Sequence, residues 1–276
     1  VSIGVCDELS GRRRVVRNVR LIARLDVKAP NLVKGIQFEG LRKLGDPNDF
    51  ALRYYQDGID EIYYEDIVAS LYERNSLLDI IEKTTRDIFV PVTIGGGLRS
   101  VDDVAAVLRA GADKVAINTA AIKNSNIISD IALRFGSQCM VLSIQAKRQG
   151  ETWEAYFDNG REHSGIDAVQ WAEQGQALGA GEILLTSVDR EGTGKGFDLE
   201  LLKAVSDRVD IPIIASGGMG CAQDLGDAVT AGGADAVAMA HVLHYGICSL
   251  SELREACQSQ GIPVRHGLHV DNECAA

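Results

Sequence analysis

Short runs of β-branched and apolar residues alternate along the chain with longer stretches in which Val, Leu, Ile and Ala recur at helical spacing. The runs predict eight strands, at residues 21–27, 61–66, 91–94, 114–118, 140–144, 182–186, 212–215 and 236–240. The helical stretches include 101–110, 127–135, 168–178 and 199–209. Strands that alternate with helices point to a parallel sheet, because each parallel pair needs a crossover. Eight such units with no break in composition favour a single α/β fold, a closed (β/α)₈ TIM barrel, over an open doubly wound sheet.

An internal repeat sharpens this expectation. PVTIGGGL at 91–98 matches PIIASGGM at 212–219, an offset of 121. Ala112-Asp113 matches Ala234-Asp235 at an offset of 122, and Glu61-Ile62 matches Glu182-Ile183 at 121. RLDVK at 24–28 aligns with SIQAK at 143–147 at 119. The barrel is therefore expected to be two repeated half-barrels of four strands each. The expected division is a basic N-terminal arm over 1–19, the barrel over 20–265 and a disordered tail over 266–276. Arg12, Arg13, Arg14 and Arg17 mark the arm, which reads either as solvated chain or as a docking segment.

Composition narrows the class. With 28 Lys+Arg against 39 Asp+Glu the net charge is −11, which works against nucleic acid or an anionic membrane as partner. No apolar run approaches the roughly 18 residues of a membrane span, and the first twenty residues lack a secretory apolar region. The six cysteines are scattered without a C-x-x-C pair, so neither a zinc site nor a disulfide framework is expected, and the reading is cytoplasmic.

Chemistry in such a barrel sits at the C-terminal strand ends. The third and seventh strands run into Gly95-Gly96-Gly97 and Ser216-Gly217-Gly218, turns whose backbone N–H groups can approach an anion. Asn118 and Thr119 end the fourth strand and His241 follows the eighth. Gly192 and Thr193 lie in the loop after the sixth. Two such glycine turns half a chain apart suit a ligand with a phosphate at each end, although purely structural turns would look the same. Asp26 ends the first strand and can serve as acid or base, or only as an ion-pair partner of Lys28 or Lys34. Its repeat mate is Gln145, an amide that cannot move protons at neutral pH. At the other rim Arg20, Glu61, Lys114 and Glu182 stand at or before strand starts. They form either a closed ring at the bottom of the barrel or a salt-bridge layer that only closes that end. His241 and His244 form an H-x-x-H pair without further metal ligands, so no metal and no cofactor is expected.

LDVK at 25–28, VKG at 33–35, GDP at 45–47, GGG at 95–97, GADKV at 111–115, INTAA at 117–121, FGSQ at 135–138, GEILLTS at 181–187 and ASGG at 215–218 together resemble the HisF family, the cyclase subunits of imidazole glycerol phosphate synthase. The resemblance spans about 20–265. It implies a barrel paired with a HisH-like glutaminase, with ammonia passing through the barrel to a bisphosphorylated ribulosyl aminoimidazole carboxamide substrate at the mouth. It places the ammonia gate on Arg20, Glu61, Lys114 and Glu182, the acid/base pair at Asp26 and position 145, and phosphate contacts on the glycine turns. Asp113 and Gln138 would lie toward the glutaminase.

Three positions depart from the family pattern. Gln145 replaces the second catalytic Asp, Glu191 stands for an Asp in the loop after strand six, and His241 stands for a serine that contacts phosphate. This pattern resembles HisF-like paralogues of surface-polysaccharide pathways, which implies ammonia supplied to a separate sugar amidotransferase. The true cyclase of histidine biosynthesis is the alternative.

Overall fold

The structure is a computed structural model that describes residues 18–68 and 77–265. Nearly all of the expected arm, and the whole expected tail, lie outside the described residues. In chain order the strands are β1 (Arg20–Lys28), β2 (Asn31–Ile36), β3 (Glu39–Gly45), β4 (Glu61–Asp66), β5 (Val92–Gly95), β6 (Lys114–Ile117), β7 (Met140–Gln149), β8 (Thr152–Phe157), β9 (Glu162–Asp167), β10 (Glu182–Ser187), β11 (Ile213–Ser216) and β12 (Ala236–Met239).

Eight of these pair side by side in parallel, in the order β10-β11-β12-β1-β4-β5-β6-β7. A further parallel ladder between β7 and β10, from Glu182↔Val141 to Ser187↔Ala146, closes the sheet on itself. That ladder removes the open-sheet alternative. The four expected helices appear as Val101–Arg109, Asn126–Phe135, Ala168–Ala177 and Leu199–Ser206. Asp46 caps the helix Pro47–Gln56 by accepting from Asn48 N at 2.8 Å, and proline opens it.

The four remaining strands are two antiparallel hairpins that the periodicity did not predict. One follows β1, where Val27 pairs with Leu32, and the other follows β7, where Gln145 pairs with Tyr156. Because β1 and β7 open the two halves, the repeat extends to its insertions. The hairpins turn through left-handed residues, Gln37 and Phe38 in one, Asp158, Asn159 and Gly160 in the other. Both lie at the mouth.

Strand alternation sorts the interior. On β1, Leu21, Ala23 and Leu25 belong to the core between sheet and helices, while Ile22 belongs to a separate cluster inside the barrel. That inner cluster also holds Tyr63, Ala116, Val141, Leu184, Ile214, Ala236 and Ala238, so the barrel axis is apolar at mid-height. At the bottom rim Asp60, Asp113 and Asp235, each just before a strand, accept the backbone N–H of Leu21, Val92 and Ile213 at 2.8, 2.8 and 3.0 Å. Each bond staples two neighbouring strand starts together.

Candidate functional site

The bottom ring comes first. Arg20 donates to Glu61 at 2.8 Å and also pairs with Glu182. Lys114 bridges the same two carboxylates, at 3.1 Å to Glu61 and 3.0 Å to Glu182. The four charges expected at this rim thus meet in one closed ring. Both carboxylates are buried, whereas Arg20 and Lys114 keep 29% and 20% of their side-chain surface. The ring is therefore a lid one residue deep, facing solvent on its cationic side. Thr93 supports it by donating to Glu61 at 2.7 Å, a contact the sequence reading did not anticipate.

At the mouth the expected residues divide between two sides. On the side of β10, β11 and β1 lies a buried ion network. Asp26 accepts from Arg24 at 2.8 Å and faces Lys34 at 3.7 Å, and Lys34 pairs with Glu191. Arg24 reaches across the barrel to the hydroxyls of Thr186 and Ser216 at 3.3 and 3.1 Å. Its guanidinium also lies over the Phe38 ring, 5.4 Å from the centroid, so the first hairpin covers this side. Gln37 of that hairpin donates its backbone N–H to Glu191 O at 2.9 Å.

These contacts fix the protonation of Asp26. Burial disfavours its charge, but Arg24 and Lys34 outweigh burial and hold the carboxyl below its usual range. Burial likewise works against Lys34, and Glu191 with Asp26 keeps it protonated. Asp26 is thus a committed carboxylate and a poor proton donor at neutral pH.

The other side, between β4 and β7, is open. A cavity of about 260 Å³ is lined by Glu65, Asp66, Gly96, Gly97, Asn118, Thr119, Gln145, Asp158 and Asn159, with Arg99 and Lys123 also on its wall. The glycine turn is required by geometry: Gly96 has φ +83°, and a Cβ there would collide with the carbonyl of Asp66. Gln145 is buried here, and its Oε1 has no partner among the described residues.

Glu65 is the residue the sequence reading missed. It is buried, lines the cavity, and makes no hydrogen bond or salt bridge among the described residues. Burial raises its pKa to about 8, with Asp26 and Asp66 adding to the shift and Arg24 opposing it. The carboxyl is mostly protonated at neutral pH. A glycine at position 95 makes room for it, because a Cβ there would meet both Glu65 and the Tyr63 hydroxyl.

The expected phosphate contacts are distributed unequally. Gly97, Asn118 and Thr119 face the cavity. The amide of Asn118, however, donates to Ser143 O at 3.0 Å and Tyr156 O at 3.1 Å, so that side chain ties the second hairpin to the barrel instead of offering donors. Thr119 Oγ1 accepts from Asp158 N at 3.2 Å. Across the mouth, Gly192 packs on the carbonyl of Gly35, and Thr193 donates to Arg190 O at 2.7 Å. Gly217 lies beside Glu191, whose carboxylate would be 3.2 Å from a Cβ there. Gly218 accepts from Gly196 N at 2.9 Å. Burial, then Lys34, lower the His241 pKa, so this ring carries little positive charge at neutral pH. His244 is a packing residue: its Nδ1 meets the Tyr54 hydroxyl at 2.7 Å, and burial pushes its pKa down to about 4.

Comparison with known proteins agrees with this architecture. A family model described as histidine biosynthesis protein matches residues 20–249. A Legionella pneumophila protein named imidazole glycerol phosphate synthase subunit HisF is 64% identical over 204 residues, 74% of this chain and 96% of that protein. Proteins of the same name from Dehalococcoides mccartyi and Myxococcus xanthus are 47% and 48% identical over 248 and 246 residues, covering 90% and 89% of this chain and 98% and 97% of their own. With a closed barrel, matches along nearly its whole length and relatives well above the level at which families diverge, the chain belongs to the HisF family of synthase subunits.

Proposed function

We propose that the chain is the ammonia-using synthase subunit of a glutamine-amidotransferase pair, with a HisH-like glutaminase docked at the bottom rim. The ring of Arg20, Glu61, Lys114 and Glu182 is its ammonia gate. Above the ring, the apolar cluster around Ile22, Tyr63 and Leu184 favours neutral ammonia over ammonium, whose charge is costly to desolvate. The gate admits the molecule and the apolar sleeve keeps it neutral.

At the mouth the usual cyclisation is impaired, and the ammonia acceptor differs. One observation carries this reading: neither position of the acid/base pair that the resemblance implies supplies a proton donor at neutral pH. Position 145 is an amide, and Asp26 is held as a carboxylate by Arg24 at 2.8 Å and by Lys34. General acid–base help contributes about 10²–10⁴-fold, so the loss is severe. The ammonia then serves a separate sugar amidotransferase that converts an acetamido group to an acetamidino group in a surface polysaccharide.

The names of the relatives favour a second reading, the imidazole glycerol phosphate cyclase of histidine biosynthesis. One experiment separates the two. The purified protein is given free ammonium and the bisphosphorylated ribulosyl substrate. Little or no turnover is expected, and Gln145→Asp raises it. Robust turnover by the wild type overturns the altered-acceptor reading and makes the protein a cyclase.

A further inference from the structure

The apolar sleeve does not run straight out at the mouth. Arg24 stands two residues beyond Ile22 on β1, so it enters the axis one layer above the inner cluster. It crosses to Thr186 on β10 and Ser216 on β11, and its guanidinium lies 5.7 Å from the centre of the Tyr63 ring. That side of the axis is closed. On the other side Ala116 belongs both to the inner cluster and to the wall of the open cavity, so sleeve and cavity touch there. Gly95 on β5 is the register partner of Ala116 and has no side chain to fill the gap. Two oxygens stand over it instead. Glu65 Oε2 and the Tyr63 hydroxyl both lie within 2.6 Å of the place a Cβ at position 95 would take. Tyr63 is 2% exposed, and its hydroxyl has no partner among the described residues. Glu65 makes no hydrogen bond or ion pair among them and lines the cavity. One nitrogen bonded to two oxygens at about 2.9 Å each spans a gap of roughly 4–5 Å, and the shared position over Gly95 holds these two no farther apart than that.

We propose that Tyr63 and Glu65 form a binding station for one molecule of neutral ammonia, at a side portal through which the sleeve empties into the open cavity. This rests on the ammonia reading of the chain and goes beyond it in naming the outlet.

The chemistry follows from what each oxygen lacks. Ammonia has one lone pair and three N–H groups. Glu65, which burial keeps protonated at neutral pH, donates its O–H to the lone pair, and one N–H of the ammonia is donated to the Tyr63 oxygen. No proton changes hands. Ammonium has no lone pair to accept from Glu65, and the Arg24 guanidinium over the Tyr63 ring opposes a second cation. The charged groups that face Glu65 are Arg24 and Asp26 from β1 and Asp66 on its own strand. Arg24 is already engaged by Asp26, Thr186 and Ser216 and leaves the Glu65 carboxyl to the ligand. The Tyr63 hydroxyl is shut off from solvent while Glu65 borders the cavity, so the station joins an inner face to an outer one.

The test uses crystals of the full chain soaked at about pH 7.5 in two probes. Hydroxylamine is an uncharged two-atom stand-in for ammonia that electron density separates from water, and methylammonium is a cation at that pH. Hydroxylamine density is expected over Gly95 between Tyr63 and Glu65, with methylammonium absent. Tyr63→Phe breaks no bond of the hydroxyl among the described residues, so the variant folds. Its hydroxylamine occupancy should fall about fivefold at equal concentration, the loss of one net hydrogen bond. At about pH 9.5 Glu65 ionises and the preference reverses in favour of methylammonium, whereas Glu65→Gln shows no reversal. Single-atom water density that soaking does not change, density on the axis beside Thr186 and Ser216, or equal occupancy in Tyr63→Phe overturns the station. Such a result leaves the ammonia reading standing. A glutaminase complex in which glutamine drives no transfer overturns the ammonia reading whatever the soak shows.

Discussion

The two sides of the mouth occupy equivalent frames and have opposite character. Position 24 on β1 is Arg, and its repeat mate 143 on β7 is Ser. Position 65 on β4 is Glu, and its mate 186 on β10 is Thr. On the β10–β1 side the polar groups satisfy one another: Arg24, Asp26, Lys34, Glu191, Thr186 and Ser216 form one buried network under the first hairpin. On the β4–β7 side Glu65 and Gln145 face a cavity without partners. Duplication supplies two equal scaffolds. What separates them is which half spends its long side chains on itself. A saturated network supplies rigidity, and an unsaturated one supplies binding capacity.

The largest test of this contrast is Arg24→Leu. It leaves Asp26 with Lys34 alone and strips the donors from Thr186 and Ser216. Unfolding in urea should show a loss of about 3–5 kcal/mol. Gln145→Leu across the mouth should cost less than about 1 kcal/mol, since no bond among the described residues is broken. Equal losses would erase the distinction.

Next comes the pH dependence, where the two sides carry opposite signs. Asp26 has a depressed pKa in the folded state. Its contribution is present above the unfolded value of about 4 and is lost as pH falls through the folded value. Glu65 is raised to about 8. From about 4.5 upward the unfolded chain ionises while the folded chain keeps its proton, so Glu65 erodes stability up to about pH 8 and no further. Glu65→Gln should therefore raise stability at pH 9 relative to pH 4 by about 2–4 kcal/mol, read from paired denaturation curves. An unchanged difference would mean that Glu65 ionises freely in the folded protein.

A smaller effect is expected at the bottom. Lys114→Ala leaves Glu61 and Glu182 to Arg20 alone, at a cost of about 1–3 kcal/mol given its partial exposure. With the glutaminase present, glutamine-dependent activity should change several-fold, and activity on external ammonium much less. A constant ratio in a folded variant would reduce the ring to a cap. The smallest effect is a difference in anion affinity. A crystal soaked in phosphate should show density at Gly96–Gly97 at lower concentration than at Gly217–Gly218, because the Glu191 carboxylate lies beside Gly217. The reverse order would shift the binding side of the mouth.

The barrel and its bottom ring were legible because their signals repeat. Each barrel strand is a short apolar run, and the four rim charges fall at strand starts in both halves. The hairpins were not, since β3 and β9 are mostly exposed and lack a buried face that would set a period. The only local signal was Asp158-Asn159-Gly160, a sequence suited to a left-handed turn. Glu65 was within reach. It shares strand parity with Glu61, as Arg24 does with Arg20 and Asp26, and parity alone places all of them inside the barrel. What no parity rule supplies is that Arg24 would span the axis and bind Asp26, leaving Glu65 unpaired. Asn118 was read as a donor for ligand because its position at a strand end invites that reading. One of its N–H groups goes to Tyr156 O of the second hairpin, unseen in the sequence, and the other to Ser143 O on β7.

The aspartates at 60, 113 and 235 carry a consequence for how such a protein changes over generations. Each locks two adjacent strand starts through a backbone N–H, so strand register is held at the closed end by groups that take no part in the mouth. Register held there does not depend on which side chains line the opposite rim. The mouth can then exchange an acid for an amide, or a serine for a histidine, without altering the stagger that keeps the barrel closed. Inheritance of the frame and change at the rim are thereby uncoupled.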